Sequence, residues 1–356
     1  MLMLRERIRR RASIVMPGVR PAMTTMSESA RTALILNRLA AGGGARALTR
    51  TLRRRPRHAD WSLPYAGVVE MMMLGTPNGE IKAQAIRDAL HRVTLLNTAR
   101  PVAREVVDLG DFRGEWLATA APGGRVLLYL HGGGYVSGSP GTHRSLMVRL
   151  GHAANAHVFA PDYRLAPEFP YPTAVADAWA SYWMLLAQGV APDQIVVAGD
   201  SAGGGLTIAL LLCLREAGLP LPAAAVCLSP WFDLALTGRS METNCHSDYL
   251  NSAILHASAT MYLANHDVRD PLVSPLYADL RGLPPILIQV GTAEMLQDDG
   301  RRFAARANAA GVDVTLEEYA GMVHVWHFTY LVEPRARQAV HSIGAFVASK
   351  VTASNG

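Results

Sequence analysis

Short runs rich in Val, Ile and Leu recur between residues 105 and 319, at 105–109, 115–119, 126–130, 157–160, 194–198, 223–228, 286–290 and 314–319. Helical stretches separate several of them, at 145–154, 174–188, 201–217 and 299–310, and a last helical stretch covers 334–347. Apolar runs of this length are strands buried on both faces. A helix between two of them carries the chain back so that the next strand lies parallel to the last. The alternation predicts an α/β fold with a mostly parallel sheet covered on both sides. Sheets of this kind bind their ligands beyond the carboxyl ends of the strands. Chemistry is therefore to be sought in the segments that directly follow the runs.

Two regions fall outside the alternation. Residues 61–96 read as mostly helical, with apolar positions on one face and a break at Pro77 and Gly79. Residues 231–280 separate two strands by a long excursion that includes a helical stretch at 252–264, Pro271 and Pro275. Long excursions inside a compact domain usually serve as lids. The expected organisation is a leader over 1–60, a helical cap from 61–100 and 231–270, and a catalytic domain from 101–230 and 271–350.

Charge separates the leader from the rest. The 356-residue chain carries a formal net charge of +5, yet residues 1–60 hold 14 Arg against Glu6, Glu28 and Asp60, a net of +11. The remaining 296 residues carry a net of −6. A basic arm can bind nucleic acid or an anionic membrane, but the ordinary reading of such a charge run is a solvated or partly helical leader, and that is the one expected here. No zinc-finger spacing, aromatic RNA-binding motif or phosphate-binding loop accompanies it, so no nucleic-acid partner is expected. The chain has 32 Arg against two Lys (Lys82 and Lys350), which reads as coding bias. Met16, Met23 and Met26 are alternative starts, and the apolar stretch at 12–19 is short for a signal peptide and contains Pro17. Cys213, Cys227 and Cys245 are odd in number and form no C-x-x-C pair, which argues against a disulfide framework. The longest apolar stretch, 203–214, is shorter than the roughly 20 residues a membrane span needs. The expectation is a cytoplasmic enzyme with no transmembrane segment.

Two motifs carry chemistry. Gly199-Asp200-Ser201-Ala202-Gly203 follows the run at 194–198 and opens an apolar helix. A sharp strand-to-helix turn of this type holds the serine hydroxyl above the sheet edge, where the helix N-terminus favours developing negative charge. His131-Gly132-Gly133-Gly134-Tyr135 follows the run at 126–130. Consecutive glycines let backbone N–H groups approach the oxyanion of an acyl-transfer intermediate.

A nucleophilic serine needs a base, and the base needs an orienting acid. The histidines after Ser201 are His246, His256, His266, His324, His327 and His341. His324 lies in Ala320-Gly321-Met322-Val323-His324, the loop after the last strand, and is the expected base. His327 reads as a structural neighbour. The acid is expected after the run at 286–290, in Gly291-Thr292-Ala293-Glu294-Met295-Leu296-Gln297-Asp298-Asp299. Glu294 stands just beyond the strand. Asp298, the alternative acid, and Asp299 stand where a helix begins, the ordinary place for acidic capping residues.

These motifs, with Asp162-Tyr163-Arg164-Leu165-Ala166-Pro167-Glu168, Ser229-Pro230-Trp231 and Gly282-Leu283-Pro284-Pro285, resemble the hormone-sensitive-lipase-like esterases, bacterial family IV of the α/β-hydrolases. The likeness runs from Val126 to the C-terminus and does not reach residues 1–60. It implies an α/β-hydrolase fold with an eight-stranded, mostly parallel sheet and a helical cap. It implies Ser201 as nucleophile, His324 as base, Gly133, Gly134 and Ala202 as oxyanion donors, and His131 and Gly132 as support. The family often places Asp where this chain has Glu294. The implied activity is hydrolysis of short- to medium-chain acyl esters without metal or cofactor, and relatives of this kind often form homodimers. The alternatives are a hydrolase-like fold that only binds a small molecule, and lactone or amide hydrolysis at the same site.

Other residues read as packing. Asp162 and Glu168 are expected to hold their loop near the sheet, and Met71, Met72 and Met73 to pack in the cap or line its entrance. Trp231 and Phe232 are read equally as pocket or core.

Overall fold

The computed structural model describes residues 43–53, 57–77, 81–94, 101–120 and 124–351. Residues 1–42, with most of the arginine-rich leader and the alternative start codons, lie outside them.

All eight expected strands form: β1 (Arg104–Asp108), β2 (Arg113–Leu117), β3 (Arg125–Leu130), β4 (Ala156–Asp162), β5 (Ile195–Asp200), β6 (Ala224–Leu228), β7 (Ile286–Gly291) and β8 (Val314–Tyr319). They build one sheet in the order β1-β2-β4-β3-β5-β6-β7-β8. β2 runs antiparallel to β1 and β4, and all other neighbours are parallel.

The helices are α1 (Gly43–Leu52), α2 (Leu63–Gly75), α3 (Ala83–Thr94), α4 (Pro140–Ala154), α5 (Thr173–Ala187), α6 (Ala202–Glu216), α7 (Ser240–Thr243), α8 (Ser252–Leu263), α9 (Gln297–Ala309) and α10 (Pro334–Lys350). Side chains alternate across each strand, so both sheet faces carry a core. Val126, Leu128 and Leu130 of β3 pack with α5 and α6. Leu127 and Tyr129 pack on the other face with Leu146 and Leu150 of α4 and Val340 and Ile343 of α10. Every residue of β5, β6 and β7 is buried, which is why these strands read as unbroken apolar runs. Helix α6 is buried almost all round, so its sequence shows no single apolar stripe.

Register aligns the loops that matter. Leu130 pairs with Gly199, Asp200 with Leu228, and Gly291 with Tyr319. The segments that follow β3, β5, β7 and β8 therefore leave the same edge of the sheet.

Above that edge lie α2, α3 and the segment carrying α7 and α8. Helix α2 starts where the Ser62 side chain accepts from the Tyr65 amide, with Pro64 in the first turn. The Asn251 side chain caps α8 by accepting from the Ile254 amide. The two regions are joined by bonds from Thr76 Oγ1 to the Tyr249 carbonyl (3.0 Å) and from Asn251 Nδ2 to the Pro77 carbonyl (3.1 Å). Arg87 of α3 makes two bonds to the Glu168 carboxylate and one to the Val136 carbonyl, so Glu168 ties its loop to α3 rather than to the sheet.

Part of the basic leader is structural. Arg50 and Arg57 both reach the buried Glu70 of α2, at 3.0 and 2.7 Å, and Arg57 also donates to the His246 carbonyl. Arg57 thus links α2 to the segment that follows α7. Arg57→Ala removes one partner of a buried carboxylate and is expected to cost about 1–3 kcal/mol. Urea unfolding monitored by tryptophan fluorescence measures it, and an unchanged midpoint rejects the link.

Candidate active site

Ser201 sits between β5 and α6 with φ 53° and ψ −122°, a left-handed conformation that a non-glycine residue adopts only when its surroundings enforce it. The enforcement is visible. Its amide donates to the Leu228 carbonyl (2.9 Å), and its carbonyl accepts from the Trp231 and Gly204 amides (2.9 and 3.0 Å). Gly203 must be glycine, because a Cβ there would stand 1.9 Å from the Leu130 carbonyl oxygen. That approach puts the first turn of α6 directly behind the end of β3.

The glycine loop after β3 is held by the residue before the serine. The buried Asp200 carboxylate accepts from the Gly132 amide (2.9 Å), the Tyr129 hydroxyl (2.7 Å) and His143 Nε2 (3.3 Å). Burial raises its pKa, but the His143 charge and these hydrogen bonds outweigh burial and hold the carboxyl down at about 2. Gly132 spends its amide on this anchor. Gly133 and Gly134 then turn with φ 123° and 65°, and both line the cleft with Ser201. Ala202 is the first residue of α6, so its amide has no carbonyl partner within the helix. His131 stacks on Tyr163 at 4.1 Å, and its Nδ1 lies 2.9 Å from the Gly132 carbonyl, which keeps the loop in place. Burial pushes its pKa down to about 3.

His324 and Glu294 come together behind the cleft. His324 lines the cleft and is buried, with Nδ1 3.7 Å from Glu294 Oε2. This exceeds hydrogen-bond length. Resting contacts of this type often shorten only when substrate is bound. Burial lowers the His324 pKa, while Asp248 and Asp200 oppose the shift, so the imidazole is neutral near pH 7. Burial raises Glu294 to about 8, against the Ser229 hydroxyl and the Gly291 backbone.

Asp298 does not take part. Its Oδ2 accepts from the Ser240 amide (2.9 Å), its own amide donates to Ser240 Oγ (3.0 Å), and it lies in the first turn of α9. The correction to the alternative acid follows from geometry: the helix start faces the α7 segment. His327 also serves the structure, with Nε2 2.8 Å from Gln289 Oε1.

The cleft encloses about 110 Å³ open to the centre of a water-sized molecule. Met72, Ile86, Trp231, Leu250, Ile254, Leu255 and Phe328 give it apolar walls, with His143 and Tyr249 among them. Met72 is therefore cleft wall rather than cap filler alone. Trp231 also faces the cleft, whereas Phe232 packs on Phe303 at 4.2 Å. Asp248 and Tyr65 were missed by sequence reasoning, because each lies in a segment without a motif, and Ser229 was seen only as part of the Ser229-Pro230-Trp231 motif with no role given; all three reach the site only through the fold. Among the described residues no group of three His, Cys, Asp or Glu side chains is placed to hold a metal ion, and no helix is long and apolar enough to cross a membrane.

The raised Glu294 pKa fixes a sign for stability. The folded chain keeps a proton at Glu294 that the unfolded chain releases above the ordinary glutamate pKa, so stability falls as pH rises from there to about 8. Glu294→Gln removes this dependence. Its Tm is expected to drop less than the wild type's between about pH 6 and about pH 9 in scanning calorimetry. Parallel pH curves for the two proteins contradict a raised Glu294 pKa.

Comparison with known proteins agrees with this geometry. A family model described as alpha/beta hydrolase fold matches residues 127–328. An acetyl-hydrolase of Streptomyces hygroscopicus is 49% identical over 273 residues, covering 76% of this chain and 91% of that protein. An esterase of Acinetobacter venetianus is 37% identical over 294 residues, covering 81% of this chain and 97% of its own. The crystal structure of an esterase from the bacterial hormone-sensitive lipase family superposes with a TM-score of 0.76 at 42% identity, covering 80% of this chain and 97% of that one. With the sheet order, the serine turn and the glycine loop already in place, these similarities make the chain a member of the hormone-sensitive-lipase-like esterase family of the α/β-hydrolase fold.

Proposed function

We propose that the protein is a serine carboxylesterase that hydrolyses short- to medium-chain acyl esters. The observation that carries this reading is the meeting of Ser201, His324, Gly133 and Gly134 in one apolar cleft, with Glu294 behind His324. The names of its relatives, acetyl-hydrolase and esterase, support the same class.

His324, neutral in the resting enzyme, accepts the hydroxyl proton of Ser201 at Nε2 while Oγ attacks the ester carbonyl. The carbonyl oxygen gains the charge. The amides of Gly133, Gly134 and Ala202 hold it, each worth about 2.7–4 kcal/mol in comparable sites. The imidazolium then gives its proton to the departing alkoxide. Water repeats the sequence on the acyl-enzyme and frees the acid. Glu294 acts in its ionised form, its proton released to solvent, while His324 is charged. Burial makes its carboxylate costly when the imidazole is neutral, and the imidazolium beside it supplies the missing opposite charge. The apolar cleft walls exclude water and strengthen these interactions.

The capped cleft supports small acyl groups. In a series of p-nitrophenyl esters from acetyl to dodecanoyl, kcat/KM is expected to peak at short or medium chains and to fall by the longest. A continuous rise to dodecanoyl rejects the size limit. Ser201→Ala is expected to lower kcat for the best ester by at least about a thousandfold. Turnover by this variant at the wild-type rate removes Ser201 as nucleophile. Saturable ligand binding without hydrolysis of any ester, lactone or amide supports a binding module instead.

The three free cysteines support placement in a reducing compartment such as the cytoplasm.

A further inference from the structure

The loop that carries His324 is held by side chains that belong to neither the nucleophile turn nor the acid loop. Three consecutive amides, of Val323, His324 and Val325, donate to the Tyr65 hydroxyl (3.1 Å), Asp248 Oδ1 (3.2 Å) and Ser229 Oγ (3.0 Å). Of these acceptors Asp248 also reaches the acid loop. Its Oδ2 accepts from the amide of Met295, the residue after Glu294, at 2.8 Å. Its Oδ1 accepts in addition from the Tyr249 amide (2.8 Å). One buried carboxylate thus receives an amide of the base itself and an amide next to the acid.

The chemistry of that position is restrictive. Three N–H donors converge on two oxygens, and an ionised carboxylate offers acceptors on both sides with no donor. An asparagine in the same place satisfies one side and turns its NH₂ toward an N–H on the other. Asp248 is not part of the cleft wall, but Tyr249 and Leu250 beside it are. The carboxylate therefore connects the segment that covers the cleft to both loops that carry the triad.

We propose that Asp248 is a positioning residue for ester hydrolysis: by clamping the Met295 and His324 backbones it sets the separation of Glu294 from His324, and its charge favours the imidazolium. This rests on the reading of Ser201, Glu294 and His324 as the triad. The groups that face His324 are Glu294 from the acid loop, Asp248 and Tyr249 from the covering segment, Asp200 from β5 and His327 from its own loop. Asp248 itself faces Glu294, His324, Tyr249 and, from α2, Tyr65. Its negative charge raises the affinity of His324 for a proton. Removing that charge frees the base at lower pH, so the acidic limb of kcat/KM moves down.

The test uses the full chain and p-nitrophenyl butyrate, with active sites counted by covalent titration with an organophosphate. The variants are Asp248→Asn, Asp248→Glu and Ser201→Ala. Asp248→Asn is expected to keep KM within about twofold and to lose about ten- to a hundredfold in kcat per titrated site, the effect of a misplaced catalytic group. Its acidic limb is expected to move down by on the order of one pH unit. Asp248→Glu keeps the charge and is expected to return the limb to its wild-type position. Wild-type kcat with an unmoved limb in the Asn variant overturns the proposal. A Glu variant whose acidic limb moves down by on the order of one pH unit from wild type also overturns it, a comparison that stands even if the Asn variant does not fold. Ser201→Ala at wild-type speed brings down the triad reading itself, a result separable from any outcome at position 248.

Discussion

The site depends on how closely the start of α6 approaches the end of β3. With Gly203 close against the Leu130 carbonyl, the start of α6 lies directly behind β3, and Ser201 joins β5 to α6 through a left-handed conformation. A turn this tight persists only when the backbone groups around it are satisfied, and the Ser201 amide and carbonyl are both hydrogen-bonded across to β6 and the segment after it. Asp200, one residue earlier, fixes Gly132 and so places the glycine loop relative to the serine. The Ser201 turn and the glycine loop are therefore joined directly through Asp200, while the end of that loop also meets the covering helices, where Tyr135 stacks on Tyr262 of α8 at 3.8 Å and Arg87 of α3 donates to the Val136 carbonyl.

The base and acid are positioned differently. The amides around His324 are satisfied by Tyr65, Asp248 and Ser229, and Trp61 donates its indole N–H to the Gly321 carbonyl at the start of the same loop. Three of these four residues come from the covering helices or their flanking segments. The His324 loop thus shares its supports with the structure that covers the cleft. The electrostatics follow the same division. Asp200 is held ionised by hydrogen bonds and His143, whereas Glu294 and Asp248 are pushed up to about 8 and about 6 by burial. The two upward-shifted carboxylates lie around the one group that becomes positive during the reaction.

The leader has a mixed character. Its high charge suggested an anionic partner when read as a whole. In the described part, Arg50 and Arg57 instead neutralise Glu70 within the chain. Charge composition cannot separate a surface that binds a partner from one that satisfies a buried carboxylate, because both consist of arginines in one stretch of sequence.

The strands, the serine turn, the glycine loop and the base loop were legible because each is local. Strands buried on both faces impose unbroken apolar runs, close approach imposes glycine, and the sheet edge imposes loops directly after strands. The place of Asp298 at a helix start was legible for the same reason. Asp248, Tyr65 and Ser229 were not legible. Each acts through contacts across 76 to 258 residues of chain, and even the Ser229-Pro230-Trp231 motif says nothing of what Ser229 touches. The sequence by itself determined the fold, the nucleophile turn and the residues able to serve as base and acid, because these follow from periodicity and backbone sterics. Tertiary structure alone decided which side chains hold the base and acid in register, because a buried amide takes whatever acceptor the packing brings to it.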